Sequence, residues 1–300
     1  MAIAKLLTVA VPCYNSAAYM EKAVKSLIVG GEEMDVLLVD DGSTDETGAI
    51  ADRLDAEGLR ALLDLLRAHA TPEMQADLVV HDYVYDHGEE QAVFSIDYAG
   101  PFPQGRMISW AECRHFTPAN QFLIHCLVYR VDMLREHHYV LPEHTFYEDN
   151  LYVYQPLPWV KKLLYLHKPV YAYNVGREGQ SVNEKNLIKR IDQLTNMITK
   201  MATTWHKSDL DSLAKPLRQY MINNVSGQLW SLCALHHIAN TDESRKLNAD
   251  MWRTIRDWDA DYYKAILRNP IGGMAHWQSG LGKWAVVSAY RLGHKIMKFG

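Results

Sequence analysis

The stretch VLLVDDGSTDETG, residues 36–48, is an apolar run that stops at two adjacent carboxylates, Asp40 and Asp41. A strand that is apolar along its whole length is typical of a parallel sheet covered on both faces. Ser43, followed three residues later by Glu46, forms a capping-box pattern that predicts the start of a helix. We therefore expect a buried strand, then a helix, with both acids at the carboxyl end of the strand.

The same plan occurs nearer the N-terminus. The run LLTVAVPCYN is rich in valine and is halted by Pro12, and SAAYMEKAVKSLI follows it with apolar residues along one helical stripe. Two strand–helix units of this kind predict an α/β fold, in which ligands lie at the carboxyl ends of the strands. Asp40 and Asp41 would then accept hydrogen bonds from a bound base or help to hold a cation, although a capping or turn role fits the same residues.

The composition narrows the class of protein. The chain has 300 residues, 48% of them hydrophobic, and a net charge of −5. We expect a globular protein of one large or two smaller domains, and no nucleic-acid partner, because no segment clusters Lys and Arg. No apolar run approaches the roughly twenty residues of a membrane span. Four widely spaced cysteines and no signal peptide ahead of Lys5 favour free thiols in a reducing cytoplasm.

Together, VAVPCYN and VLLVDDGSTDETGAIADRL resemble the opening of family 2 glycosyltransferases. The resemblance implies a GT-A fold over residues 1–185, a nucleotide-binding and mostly parallel sheet flanked by helices. It also implies a nucleotide pocket in which Tyr14 lies against the base and Asp41 accepts a hydrogen bond from a uracil ring, supported by Asp40. The resemblance places two further residues in the pocket, Pro12 and Asn15.

The segment LPEHTFYEDNLYVYQPLPW extends the resemblance. In this family an acidic pair opens a helix beside the acceptor site, and its aspartate is the usual catalytic base, so Asp149 takes that role with Glu148 beside it. A hydroxyl is a poor nucleophile, and a carboxylate within hydrogen-bond reach must take its proton as it attacks the anomeric carbon. Read without the resemblance, the pair consists of favourable charges in the first turn of a helix.

Four further residues are donor or acceptor contacts by the same resemblance. Arg177, Gln180 and Ser181 lie in YNVGREGQSV and would face the diphosphate or the acceptor. His125, in NQFLIHCLVYRVDML, would be a polar contact in the acceptor pocket. A structural ion pair for Arg177 and a hydrogen-bonded core position for His125 are the alternatives.

One part of the family pattern is missing. Family 2 enzymes carry a strand ending in DxD, whose aspartates hold Mg²⁺ or Mn²⁺ against the donor diphosphate. Here the chain passes from ETGAIADRL directly into DAEGLRALLDLLRAHA, with the join near residues 52–55. A segment is missing from this sequence, or the protein carries a natural deletion, or the family pattern does not extend across the join. We favour the first, because removing central strands would cost more than the roughly 5–15 kcal/mol that stabilises a domain. A Mg²⁺ or Mn²⁺ cofactor is expected, with ligands that the sequence does not identify.

The last third of the chain changes character. From about residue 186 to 300 its apolar residues recur at helical spacing without strand alternation, which predicts a helical C-terminal region. The terminal GKWAVVSAYRLGHKIMKFG mixes apolar and basic residues and is compatible with an interfacial amphipathic helix or with a helix packed on its own domain.

The expected protein is a cytoplasmic, metal-dependent, inverting glycosyltransferase of polysaccharide biosynthesis. It would move a sugar from a nucleotide sugar, UDP-linked, to a hydroxyl of a cell-surface or lipid-linked glycan, with peripheral contact at the inner face of the membrane. A non-catalytic nucleotide-sugar binding protein and a sugar nucleotidyltransferase are the alternatives.

Overall fold

In the computed structural model, two strands from the N-terminal region pair in parallel. Strand β1 (Leu7–Cys13) runs beside β2 (Met34–Asp40), with Leu7 opposite Met34 and Cys13 opposite Asp40. The strand predicted from VLLVDD is therefore present and ends at the first of the two acids. The structure describes residues 6–13, 26–40, 53–54, 56–71, 73–86, 94–117, 120–174, 184–277 and 280–297.

A second sheet is mixed. Its five strands are β3 (Arg53–Leu54), β4 (Leu78–Asp86), β5 (Phe94–Ile96), β6 (Leu127–Tyr129) and β7 (Leu163–Asn174). Their order is β3-β7-β4-β5, and β6 also pairs with β4. The central pair β4 and β7 is parallel, and the three shorter pairings are antiparallel.

The α/β class predicted from the sequence is confirmed, because the described residues form both β-sheets and helices, but the arrangement of the sheets differs from the prediction. Instead of one mostly parallel sheet, the described residues form a two-stranded sheet and a separate five-stranded sheet. Between β2 and the first long helix, the described part of the chain supplies only the two-residue β3, so no strand joins the two sheets there. The GT-A arrangement itself stays a prediction.

Helix α1 (Ala56–Ala68) packs on residues of both sheets. Leu59 and Leu63 lie in a cluster with Met34 of β2, and Leu62 lies in a second cluster with Val79 of β4. Leucines spaced three and four residues apart share one face of a helix, which explains why DAEGLRALLDLLRAHA folds as an amphipathic helix.

The chain forms two compact units that interleave along the sequence. The first contains residues 1–108, 125–130 and 162–175, and the second contains residues 109–124, 131–161 and 176–300. The predicted division into residues 1–185 and 186–300 stays a prediction.

The second unit is helical. Its α-helices are α2 (Val131–Glu136), α3 (Asp149–Tyr154), α4 (Glu184–Lys189), α5 (Ile191–Ala202), α6 (Lys207–Ser212), α7 (Lys215–Ala239), α8 (Asp242–Trp258), α9 (Ala260–Arg268), α10 (Pro270–Ala275) and α11 (Gly280–Met297). From residue 184 onward every described element is a helix, as the apolar spacing predicts. None of the helices in the described ranges combines the length and apolar character needed to cross a membrane.

Three cysteines have free thiols, Cys113, Cys126 and Cys233, and all three are buried. The expectation of free thiols is confirmed for these positions.

Candidate active site

The pairing of β1 and β2 brings predicted site residues to one edge of the small sheet. Pro12 lies opposite Val39, and Cys13 lies opposite Asp40, so the carboxyl ends of both strands meet there. Open α/β sheets place their ligands at this edge. Three of the predicted nucleotide-binding residues lie outside the described residues: Tyr14, Asn15 and Asp41.

The acid pair opens a helix, as predicted. Glu148 is the N-cap of α3, and Asp149 is its first residue. The carbonyl of Glu148 accepts hydrogen bonds from the backbone N–H groups of Leu151 at 2.9 Å and Tyr152 at 3.2 Å. These bonds fix the start of the helix and therefore the position from which the Asp149 side chain projects.

The Asp149 carboxylate is held on one side by its neighbour. Its Oδ1 accepts hydrogen bonds from the backbone nitrogen of Asn150 at 3.0 Å and from Asn150 Nδ2 at 3.1 Å. Asn150 Nδ2 also donates to the carbonyl of Tyr147 at 3.0 Å. The amide of Asn150 therefore links the Asp149 carboxylate to the backbone of the turn that precedes the helix.

The residue before the acid pair has an unusual backbone. Tyr147 has φ of 71°, a left-handed conformation that a bulky side chain rarely adopts. Its phenol oxygen accepts a hydrogen bond from Arg190, and the Arg190 guanidinium lies 3.6 Å from the centre of the Phe146 ring. The backbone nitrogen of Phe146 donates to Gln193 Oε1 at 3.1 Å. These contacts with the start of α5 hold the strained turn in place and so fix the backbone from which Glu148 and Asp149 project.

The electrostatics at Asp149 favour a base. Burial is the largest influence and raises the pKa of Asp149 above its ordinary value, while the N–H groups of Asn150 and of Asp149 itself oppose the rise. Burial also raises the pKa of Tyr147, opposed by Arg190. A carboxylate with a raised pKa accepts a proton more readily from a weakly acidic hydroxyl.

Sequence reasoning identified the acids but missed the residues that hold them. Tyr147 and Asn150 directly flank the acid pair in YEDN, and this position in the sequence is the one sign that they could contact it. Arg190 lies about forty residues further along the chain, and no local pattern links it to the turn, because such contacts depend on tertiary packing.

His125 lies in a short 3₁₀ turn, Ile124–Cys126, and is itself a residue of the first unit. Its ring stacks on Tyr171 and Tyr173, with centroids 4.4 Å and 5.2 Å away, and meets Tyr83 edge-on at 4.5 Å. Its Nε2 is buried and has no hydrogen-bond partner in the described part of the chain. Burial, followed by the nearby His81, lowers the pKa of His125 to about 3, so the ring is neutral at physiological pH. The residue is packed among aromatic rings, and a role as an acceptor contact stays a prediction.

A buried polar network in the first unit was not predicted. Asp82 on β4 is 2% exposed and accepts hydrogen bonds from Tyr165 Oη at 2.7 Å and from the backbone nitrogen of Tyr98 at 3.2 Å. His167 Nδ1 lies 2.9 Å from the other oxygen of Asp82. The register between β4 and β7 shifts at Asp82, which brings His167 beside it. The hydrogen bonds of Asp82 with Tyr165 and His167 link β4 to β7, the two central strands of the sheet.

The comparison with known proteins bears on the N-terminal segment. The sequence profile named Glycosyl transferase family 2 matches residues 8–63. Residues 8–63 are therefore similar to family 2 glycosyltransferases, and we call them the family 2 segment. No curated protein matches the chain.

The family 2 segment contains β2 and β3, nearly all of β1, and α1 as far as Leu63. It includes all five predicted nucleotide-binding residues: Pro12, Tyr14, Asn15, Asp40 and Asp41. The match supports glycosyltransferase activity in general, with a nucleotide-sugar donor and a glycan acceptor. Asp149, Glu148 and His125 lie beyond it.

Two expectations from the family pattern have no test in the described residues. Arg177, Gln180 and Ser181 lie outside them. The described ranges contain no group of three or more His, Cys, Asp or Glu placed to hold a metal ion. At the join near residues 52–55, Arg53 and Leu54 form β3 and pair with β7, while the flanking acids lie outside the described residues.

Proposed function

We propose that this protein is an inverting glycosyltransferase that moves a sugar from a UDP-linked donor to a hydroxyl of a cell-surface or lipid-linked glycan, in the cytoplasm. The family 2 segment at residues 8–63 supports the donor half of the proposal. The observation that carries the acceptor half is the Asp149 carboxylate, which has a raised pKa, one oxygen held by Asn150 and a fixed place at the start of α3.

In the proposed donor site, Tyr14 stacks on the uracil and Asp41 accepts a hydrogen bond from the ring, with Asp40 supporting it. Pro12 and Asn15 shape the rest of the pocket. The shared edge of β1 and β2 supports this assignment, because it brings the ends of the two strands together. A bound Mg²⁺ or Mn²⁺ would neutralise charge on the departing diphosphate.

In the proposed transfer step, the acceptor hydroxyl gives its proton to Asp149 while its oxygen attacks the anomeric carbon. The bond from that carbon to the diphosphate oxygen breaks, and the nucleoside diphosphate leaves with the bonding electron pair. One displacement inverts the configuration at the carbon. Glu148 positions the base, because its carbonyl closes the first turn of α3. The remaining donor and acceptor contacts are assigned to His125, Arg177, Gln180 and Ser181.

The experiment that tests the base uses two matched variants. UDP sugars are screened with Mn²⁺ or Mg²⁺ for donor hydrolysis and for transfer to glycan acceptors, and the best donor is then used with Asp149→Asn. We expect kcat to fall about a hundredfold or more, with the affinity for UDP unchanged. Asp132→Asn is the control, because Asp132 also lies in the first turn of a six-residue helix but its side chain is 70% exposed. Equal turnover by the wild type and Asp149→Asn would assign the base elsewhere.

A second measurement separates binding from catalysis. A ligand that binds only the folded protein raises its stability, by about 2.7 kcal/mol when its concentration is a hundred times Kd. We expect UDP to stabilise the wild type and Asp149→Asn alike, and Asp41→Ala to abolish the effect. UDP-dependent stabilisation without turnover of any UDP sugar, with Mn²⁺ present, would favour the non-catalytic binding protein instead.

A further inference from the structure

The C-terminal helix α11 presents an apolar stripe to solvent. Leu281 is 87% exposed, Trp284 is 70% exposed and Leu292 is 59% exposed. At about 100° of rotation per residue, these three positions fall within about 80° of one another on the helix surface. They therefore form one continuous face.

The opposite side of α11 is already occupied. Val286 and Tyr290 are each 2% exposed, and the helix packs against α7. Lys283 Nζ donates a hydrogen bond to Asn240 Oδ1, at the end of α7, at 2.8 Å. The helix is thus fixed to its own unit by one face, and the exposed stripe is not needed for that packing.

The charge of this region is opposite in sign to that of the remaining chain. Residues 262–300 contain six Lys and Arg and no Asp or Glu, whereas the preceding 261 residues contain 25 Lys and Arg against 36 Asp and Glu. Within α11, Arg291 is exposed next to Leu292. A basic segment on an acidic protein favours a partner with a dense negative surface.

We propose that the exposed face of α11, formed by Leu281, Trp284 and Leu292 and flanked by Arg291, docks on an anionic lipid surface. Tryptophan and leucine insert at the boundary between headgroups and acyl chains, and Arg291 attracts the anionic headgroups. The helix lies in the plane of the surface, since its other face stays packed on α7. The inference does not rest on the proposed function, because docking on lipid needs neither donor nor acceptor.

The test is flotation of the full chain with vesicles of phosphatidylcholine alone, and with vesicles in which roughly one-third of the lipid is phosphatidylserine. We expect binding to the anionic vesicles only, weakened by high salt. The double variant Leu281→Ser with Trp284→Ser should weaken binding about tenfold or more. Arg291→Gln should weaken it about fivefold. Far-UV circular dichroism and the melting temperature of each variant should match the wild type, since the replaced side chains are exposed.

The matched control is Trp258→Ser, because Trp258 is also an exposed tryptophan, at 41%, but lies at the end of α8. It should bind vesicles as the wild type does. Absence of wild-type binding to anionic vesicles, or equal binding by the double variant, would overturn the proposal. A second copy of the chain is the other candidate occupant. If the double variant turns a dimer into a monomer in sedimentation, and neither form binds vesicles, the face is a contact between copies and the proposal is wrong.

Discussion

Replacing Asp82 tests whether the buried network between β4 and β7 stabilises the fold. The carboxylate is 2% exposed and accepts hydrogen bonds from Tyr165 Oη and the Tyr98 backbone nitrogen, with His167 Nδ1 beside its second oxygen. A hydrogen bond to a charged group contributes about 1.5–3 kcal/mol, and a buried donor left without a partner costs about 1–3 kcal/mol. Asp82→Ala removes all three contacts at once.

Two of the donors keep another partner, which limits the loss. The Tyr98 backbone nitrogen also lies 3.1 Å from Tyr165 Oη, and that hydroxyl lies 2.8 Å from His167 Nδ1. Removing the carboxylate also removes the unfavourable burial that raises the pKa of Asp82. We therefore expect Asp82→Ala to lower the free energy of unfolding by about 2–3 kcal/mol, and Asp82→Asn, which keeps one acceptor oxygen, by about 1 kcal/mol.

Urea denaturation followed by circular dichroism measures these changes, provided that the slope with denaturant stays constant. His167→Ala is the matched comparison, because the His167 side chain is 49% exposed and should cost less than about 1 kcal/mol. The double variant should show a coupling free energy of about 0.5–2 kcal/mol between Asp82 and His167. A loss below about 0.5 kcal/mol for Asp82→Ala would refute the reasoning, because the hydrogen bonds would then only offset the desolvation of the carboxylate.

Three further predictions follow from other contacts. The kcat/KM of transfer should rise with pH through the pKa of Asp149, which burial places above the ordinary 3.8, and this acid limb should be absent from the residual activity of Asp149→Asn. Gly58→Ala should lower the melting temperature despite the better helix propensity of alanine, because the new Cβ would clash with the carbonyl oxygen of Pro169; an unchanged melting temperature would contradict that close packing. Burial lowers the pKa of His81 and of His236 from 6.5 to about 4, so the unfolded chain binds more protons than the folded chain between these pH values. The free energy of unfolding should therefore fall as the pH drops from about 6.5 to 4, on the order of 1–3 kcal/mol for each histidine. Urea denaturation at several pH values measures this fall, which His81→Gln or His236→Gln should reduce.

Local sequence patterns predicted the strands and helices that are specified by residues close together in the chain. The strand ending at Asp40 followed from a continuous apolar run, and the helices from residue 184 onward followed from apolar residues at helical spacing. The acid pair at the start of α3 was identified from the resemblance, and the helix start is confirmed. These predictions succeeded because strand periodicity, helix periodicity and charges in a first helical turn are all encoded within a few residues.

Contacts between distant segments could not be predicted in this way. Asp82 and Tyr165 are 83 positions apart, and only the parallel pairing of β4 with β7 brings them together. The apolar spacing predicted a helical region from about residue 186, but it did not predict that α4 ends at Lys189 and α5 begins at Ile191. Arg190, between the two helices, makes the contacts with Phe146 and Tyr147. Its backbone conformation is set by tertiary contacts that a stripe of apolar residues does not reveal.

The left-handed backbone of Tyr147 gives the Asp149 assignment support that the motif alone does not. A bulky residue in this conformation costs about 1–3 kcal/mol, and such strain persists only where surrounding contacts over-determine the backbone. Three contacts hold the backbone here. The Arg190 guanidinium lies over the Phe146 ring, the Phe146 backbone nitrogen donates a hydrogen bond to Gln193, and Arg190 donates a hydrogen bond to the Tyr147 phenol. A pair of acids that served only to favour the start of a helix would need no such turn, because first-turn charges act equally well after an ordinary extended N-cap. The contacts that hold this strained turn therefore also fix the direction of the Asp149 side chain, whose carboxylate has a pKa raised by burial.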